Sequence, residues 1–144
     1  LTKQHFIIFS QSLDLNIPVA VICTGLGPEK ANFLFPPCAP DGENHEEFFK
    51  ECKPTCTHFV ATKYGYMDML DDETPGPIET MSKCMCKNGK GPRNLMRRNV
   101  GGLVVAFLKA QLNEQWKDFD AIIADPDLAP AILDYVMYLQ TRKY

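Results

Sequence analysis

Cysteine and histidine are the residues of this chain whose spacing first suggests chemistry. Cys52-x3-Cys56-x-His58, followed by Cys84-x-Cys86, supplies enough soft ligands for a tetrahedral zinc ion. The spacing is loose for that purpose. Zinc knuckles use Cys-x2-Cys or Cys-x4-Cys pairs on tight turns, and Cys84 and Cys86 are awkwardly close for one tetrahedron. Ordinary buried thiols are the plain alternative, since unpaired cysteine is among the most buried residue types. A disulfide among Cys38, Cys52, Cys56, Cys84 and Cys86 is the better expectation, although spacing does not give its pairing. No metal site is expected.

Other motifs fare no better. Thr24-Gly25-Leu26-Gly27-Pro28-Glu29-Lys30 starts like a dinucleotide fingerprint, but Lys30 stands at the third glycine and Pro28 removes a backbone donor. A turn at a strand end explains it. Asp68, Asp71, Asp72 and Glu73 form an acidic cluster without the alternating oxygen ligands and central Gly of a calcium loop. A solvated loop or helix cap is the expectation there. The serines Ser10, Ser12 and Ser82 lie in no Gly-x-Ser-x-Gly elbow. His5, His45 and His58 complete no triad with them. His58, inside an apolar run, reads as a structural histidine, and His45 as a surface residue at a helix start.

The elements that would carry these residues follow from hydrophobic patterning. Ile17 to Cys23 is apolar on both alternating faces and ends at Gly25, Gly27 and Pro28, which predicts a strand of a parallel sheet, buried on both sides. His58 to Thr62 predicts a second strand. Between them, Asn44 with Glu47 three residues later predicts a capping box for a helix over His45–Cys52, with Phe48 and Phe49 on its apolar side. Strand, helix and strand make a right-handed βαβ unit. The Gly- and Pro-rich stretch from Gly25 to Gly42 is longer than an ordinary connection and carries the apolar insert Phe33-Leu34-Phe35-Pro36-Pro37. Residues 71–98 read as irregular. Val100, Leu103, Val104, Phe107, Leu108 and Leu112 recur at helical spacing, with Gly101 and Gly102 suited to close packing on the sheet. Residues 113–128 read as a polar linker and Pro130 to Gln140 as a short final helix. Two strands do not close a sheet, so the elements predict the C-terminal part of a larger α/β fold.

Composition narrows the class. The 144 residues are 45% hydrophobic and 23% charged, which is ordinary for a globular domain. A net charge of −3 argues against a nucleic-acid partner held by phosphate attraction. No apolar run approaches the roughly 18 residues of a membrane span. The chain opens on Leu1-Thr2-Lys3, with no Met, signal sequence or transit segment, so its natural start is expected elsewhere.

Taken in order, many short blocks carry a resemblance. They are Ile17-Pro18-Val19-Ala20-Val21, Thr24-Gly25-Leu26-Gly27-Pro28, Pro36-Pro37-Cys38-Ala39-Pro40, Asn44-His45-Glu46-Glu47-Phe48, Lys50-Glu51-Cys52 and His58-Phe59-Val60-Ala61. They continue through Tyr64-Gly65, Met67-Asp68-Met69-Leu70-Asp71-Asp72, Cys84-Met85-Cys86-Lys87-Asn88-Gly89, Met96-Arg97-Arg98 and Val104-Val105-Ala106-Phe107-Leu108-Lys109. In order and spacing these resemble the C-terminal part of plant chlorophyllases, from about Leu13 to Leu112. The resemblance implies an α/β-hydrolase fold, here an incomplete sheet of parallel strands with flanking helices. Residues 1–112 would form that portion, and residues 113–144 a linker and C-terminal helical tail.

The resemblance further implies serine-esterase chemistry on chlorophyll or a related phytyl ester, giving chlorophyllide and phytol in the chloroplast, with no cofactor and no metal. The family's nucleophile elbow and triad Asp precede the matched segment. Its triad His sits in Tyr-Gly-His-Met-Asp-Met-Leu, and this chain has Tyr66 at that place. Imidazole, with a pKa near 6.5, can take and return the serine proton at neutral pH, whereas a phenol near 10 stays protonated. The chain alone is therefore expected to be inactive. Phe33, Leu34 and Phe35 are expected to line or cover the phytyl site. The competing expectation is a non-catalytic truncated product that at most binds pigment or a partner. Nothing in the sequence sets an oligomeric state.

Overall fold

The computed structural model describes residues 15–70, 76–134 and 136–139. Strand β1 (Val19–Thr24) pairs in parallel with β2 (Cys56–Ala61), from Val19 opposite Cys56 to Thr24 opposite Ala61. Helix α1 (His45–Glu51) lies between them in sequence, as a parallel connection requires. The Asn44 side chain caps α1 by accepting from the Glu46 N–H at 2.9 Å. The expected partner in a capping box, Glu47, pairs with Lys50 at 2.8 Å instead.

Paired residues of a parallel ladder point to the same face, so the register sorts the core into two layers. On one face Cys56 packs with Phe49 and Cys52 of the α1 segment, against Val19 and Val21. On the other, Phe59, Ala61 and Ile22 meet helices α3 (Arg93–Asn113) and α4 (Lys117–Ala124). Phe119 of α4 is fully buried at the centre of that layer. The rings of Phe59, Phe107, Trp116 and Tyr138 surround it with centroids 5.4–6.3 Å away, within the range of favourable edge-on aromatic contact.

The sheet is mixed and incomplete. A third strand, β3 (Met137–Leu139), pairs antiparallel with β2, and the order β1-β2-β3 leaves β1 with one neighbour among the described residues. Accordingly Val19 to Cys23 are half-buried rather than covered on both sides.

Several expectations fall. Where a final helix was predicted over Pro130 to Gln140, the described residues form no helix: Leu133 bridges Ala61, and Met137–Leu139 fill the open edge of β2 as β3. That pairing removes unmet backbone groups from β2, which a local helix would not do. The presumed linker after residue 112 holds α4 and a 3₁₀ turn at Pro126–Leu128. The irregular stretch 71–98 contains helix α2 (Pro77–Met85) and the first turns of α3. Phe48 is exposed while Phe49 is buried. Gly101 and Gly102 face open space, so close packing on the sheet is not their role.

The long loop after β1 is fastened rather than loose. Cys38 and Cys86 form a disulfide, Lys30 bridges Cys86, and Asn32 Nδ2 donates to the Cys84 carbonyl at 2.7 Å. A disulfide was expected; its partners are now defined.

Candidate functional site

The residue singled out as the base position follows directly from β2. After Ala61 the chain turns through Thr62–Gly65 and enters a 3₁₀ turn at Tyr66–Met69. Gly65 passes so close to the 87–88 backbone that an added Cβ would overlap the Lys87 carbonyl, so no other residue fits without displacing that segment. Asp68 fixes the turn. Its carboxylate is buried and accepts the N–H groups of Gly65 at 2.7 Å and Gly89 at 2.6 Å. Arg93 Nε lies 3.4 Å from its other oxygen. Two backbone donors and a guanidinium satisfy a charge that would otherwise be costly to bury. Tyr66 stands at the start of this turn and is 62% exposed.

Asp68 is thus a structural anchor rather than part of a cation loop; Asp71, Asp72 and Glu73 lie outside the described residues, as do His5, Ser10 and Ser12. Phe33 and Leu34 are strongly exposed and Phe35 borderline, on the loop held by the Cys38–Cys86 disulfide. Folding of the described residues does not bury this insert.

A second constellation lies on the α1 face of the sheet. A cavity of about 520 Å³ is lined by His45, Glu46, Phe49 and Lys50 of α1, His58 and Val60 of β2, and Asp134. His45 Nδ1 and His58 Nε2 are 2.9 Å apart, so one ring donates and the other accepts. Phe49 stacks on the His58 ring with centroids 4.8 Å apart. Burial first, and the neighbouring His45 second, push His58 down to about 4, against the opposing pull of Asp134. Burial also lowers His45, with Glu46 acting the other way. The thiol of Cys23, at the end of β1, lies within 4.8 Å of both rings' ligand atoms. Burial pushes that thiol up to about 12.

The cysteine set suggested by spacing does not assemble. Cys86 is in the disulfide, Cys84 is exposed, and Cys52 and Cys56 are buried beneath α1. The group that does converge, Cys23 with His45 and His58, spans 35 residues of sequence and matches no linear motif. Its signal was the register: with Val21 opposite His58, Cys23 lies one step further along the same face. Neither Tyr66 nor Phe33–Phe35 lines this cavity.

Comparison with known proteins points one way. The family model for chlorophyllase matches residues 3–140. Chlorophyllase-1 of Arabidopsis thaliana is 53% identical over 134 residues, covering 92% of this chain and 41% of that protein. Chlorophyllase-2 of the same plant is 58% identical over 102 residues, 70% of this chain and 32% of the relative. A chloroplastic chlorophyllase-1 of Citrus unshiu is 48% identical over 136 residues, 92% of this chain and 40% of the relative. The chain spans less than half the length of these relatives.

Proposed function

The chain belongs to the chlorophyllase family, and we propose that it is the part of a chlorophyllase-type carboxylic ester hydrolase that presents the catalytic-base position, occupied here by a residue unable to serve as base. In this reading the nucleophilic serine and the triad aspartate come from sequence preceding the matched segment. The turn at Tyr66–Met69 brings residue 66 towards them at the end of a parallel strand. The carrying observation is the exposure of Tyr66 on a turn locked by Asp68. A side chain held there is available to a partner group, and a histidine in its place would be able to accept a serine proton. A phenol holds its own proton at neutral pH and accepts another poorly.

The substrate class is a phytyl ester such as chlorophyll, in keeping with the relatives' names. Phe33, Leu34 and Phe35 would cover part of the isoprenoid chain; their exposure on a fastened loop supports this. The Citrus relatives are named chloroplastic, which supports a chloroplast setting for the parent protein.

The test joins the upstream segment of an Arabidopsis relative to this chain and measures release of chlorophyllide. With Tyr66 unchanged, turnover is expected to fall about 10⁴-fold or more below the Tyr66→His form, as for loss of a triad member. Equal and measurable turnover in the two forms would remove Tyr66 from the base position. A non-catalytic reading, pigment binding without hydrolysis, is favoured by the same tyrosine; it predicts pigment retention by both forms and chlorophyllide from neither.

A further inference from the structure

We propose that Cys23, His45 and His58 form a binding site for one zinc ion, separate from the Tyr66 turn, with the fourth position taken by water. The three ligands arrive from three elements, the end of β1, the first turn of α1 and the middle of β2, and their donor atoms all lie within 4.8 Å of one another. The two imidazole nitrogens, 2.9 Å apart, are slightly closer than the edge of about 3.3 Å in a tetrahedral zinc site. Small side-chain rotations would therefore admit the ion. One thiolate and two imidazoles suit zinc better than calcium or magnesium, which take oxygen ligands. On binding, the Cys23 thiol releases its proton to solvent as the Zn–S bond forms.

The surroundings fit a cation. The site opens on the cavity, whose lining adds the carboxylates of Glu46 and Asp134. Lys50, the cation lining that cavity, directs its ammonium to Glu47 at 2.8 Å. A nucleophilic role for Cys23 is less well served, because a buried thiol pushed up to about 12 is not a thiolate at neutral pH without a metal. An ion here would tie the crossover helix to both parallel strands.

The probe is Co²⁺ added to the full 144-residue chain, read by absorption. One equivalent should produce a thiolate-to-cobalt band in the near ultraviolet with tetrahedral d–d bands, and Zn²⁺ should displace it. Cys23→Ser should abolish the near-ultraviolet band. His45→Ala, at a half-buried position outside the sheet, should weaken Co²⁺ binding at least about tenfold while circular dichroism stays unchanged. Cys84→Ser should keep the full signal. Zinc should also raise the thermal midpoint of the unaltered chain by about 5 °C and leave that of Cys23→Ser in place. Absence of the band, or its survival in Cys23→Ser, overturns the assignment.

Discussion

Asp68 shows how one side chain can decide what another is able to do. Its buried carboxylate gathers Gly65, Gly89 and Arg93, and so sets the turn on which Tyr66 stands. Asp68→Ala strands those donors and is expected to cost about 3 kcal/mol of stability, measured by urea unfolding. Asp68→Asn, which keeps an acceptor, should cost less. His58 gives a pH signature. Its affinity for protons is lower folded, at about 4, than unfolded, near 6.5, so the unfolded chain binds more protons between those values. Stability should be full above about pH 6.5 and decline as pH falls towards 4, by on the order of 2–3 kcal/mol. His45 and Asp134 share that environment, so the comparison is His58→Gln, whose unfolding midpoint should vary less between pH 6.5 and 5. Tyr66 could be singled out from sequence because it lies in a contiguous stretch, Tyr64 to Leu70, that carries the resemblance. The Cys23–His45–His58 group was not, because only the β1–β2 register makes those residues neighbours.

Helices and strands with strong local patterns were legible too. β1, α1, β2 and the body of α3 carry apolar periodicity or a cap that belongs to their own residues, although α3 buries Leu103, Ala106 and Ala110 while Val104, Leu108 and Leu112 of its expected apolar set are exposed. The misread elements take their character from distant partners. Met137–Leu139 is a strand because β2 offers it an edge, and α4 is anchored chiefly by Phe119, one ring that no eight-residue pattern would single out. The fastening of the loop after β1 makes a prediction of its own. The Cys38–Cys86 bridge joins residues 48 apart in sequence, so replacing both cysteines with serine should lower stability by about 2–4 kcal/mol, read by thermal unfolding. Gly65→Ala should be comparably harmful, because its Cβ would meet backbone rather than a side chain able to move aside. In the active chimera, Phe33→Ala with Leu34→Ala should raise the phytyl-ester KM several-fold and leave a short-chain ester unaffected, since the change removes apolar surface alone.

Among the described residues, apolar surface and a sheet edge are left uncovered beyond the Phe33–Phe35 insert. Val105, Leu108 and Leu112 are exposed along α3, and β1 presents a free edge among the described residues. Taken alone, the chain should self-associate with concentration in sedimentation experiments. Val105→Lys with Leu112→Lys should reduce that association at a stability cost of no more than about 0.5 kcal/mol, the usual range for surface changes. The mixed sheet also bears on how the molecule comes together in time. β2 pairs with β1 some 37 residues upstream by register and with β3 about 80 residues downstream. During synthesis, then, the central strand emerges long before its second partner exists. A ribosome paused before Met137 would hold a chain whose middle strand is open on one side, the moment at which chaperone capture would matter most.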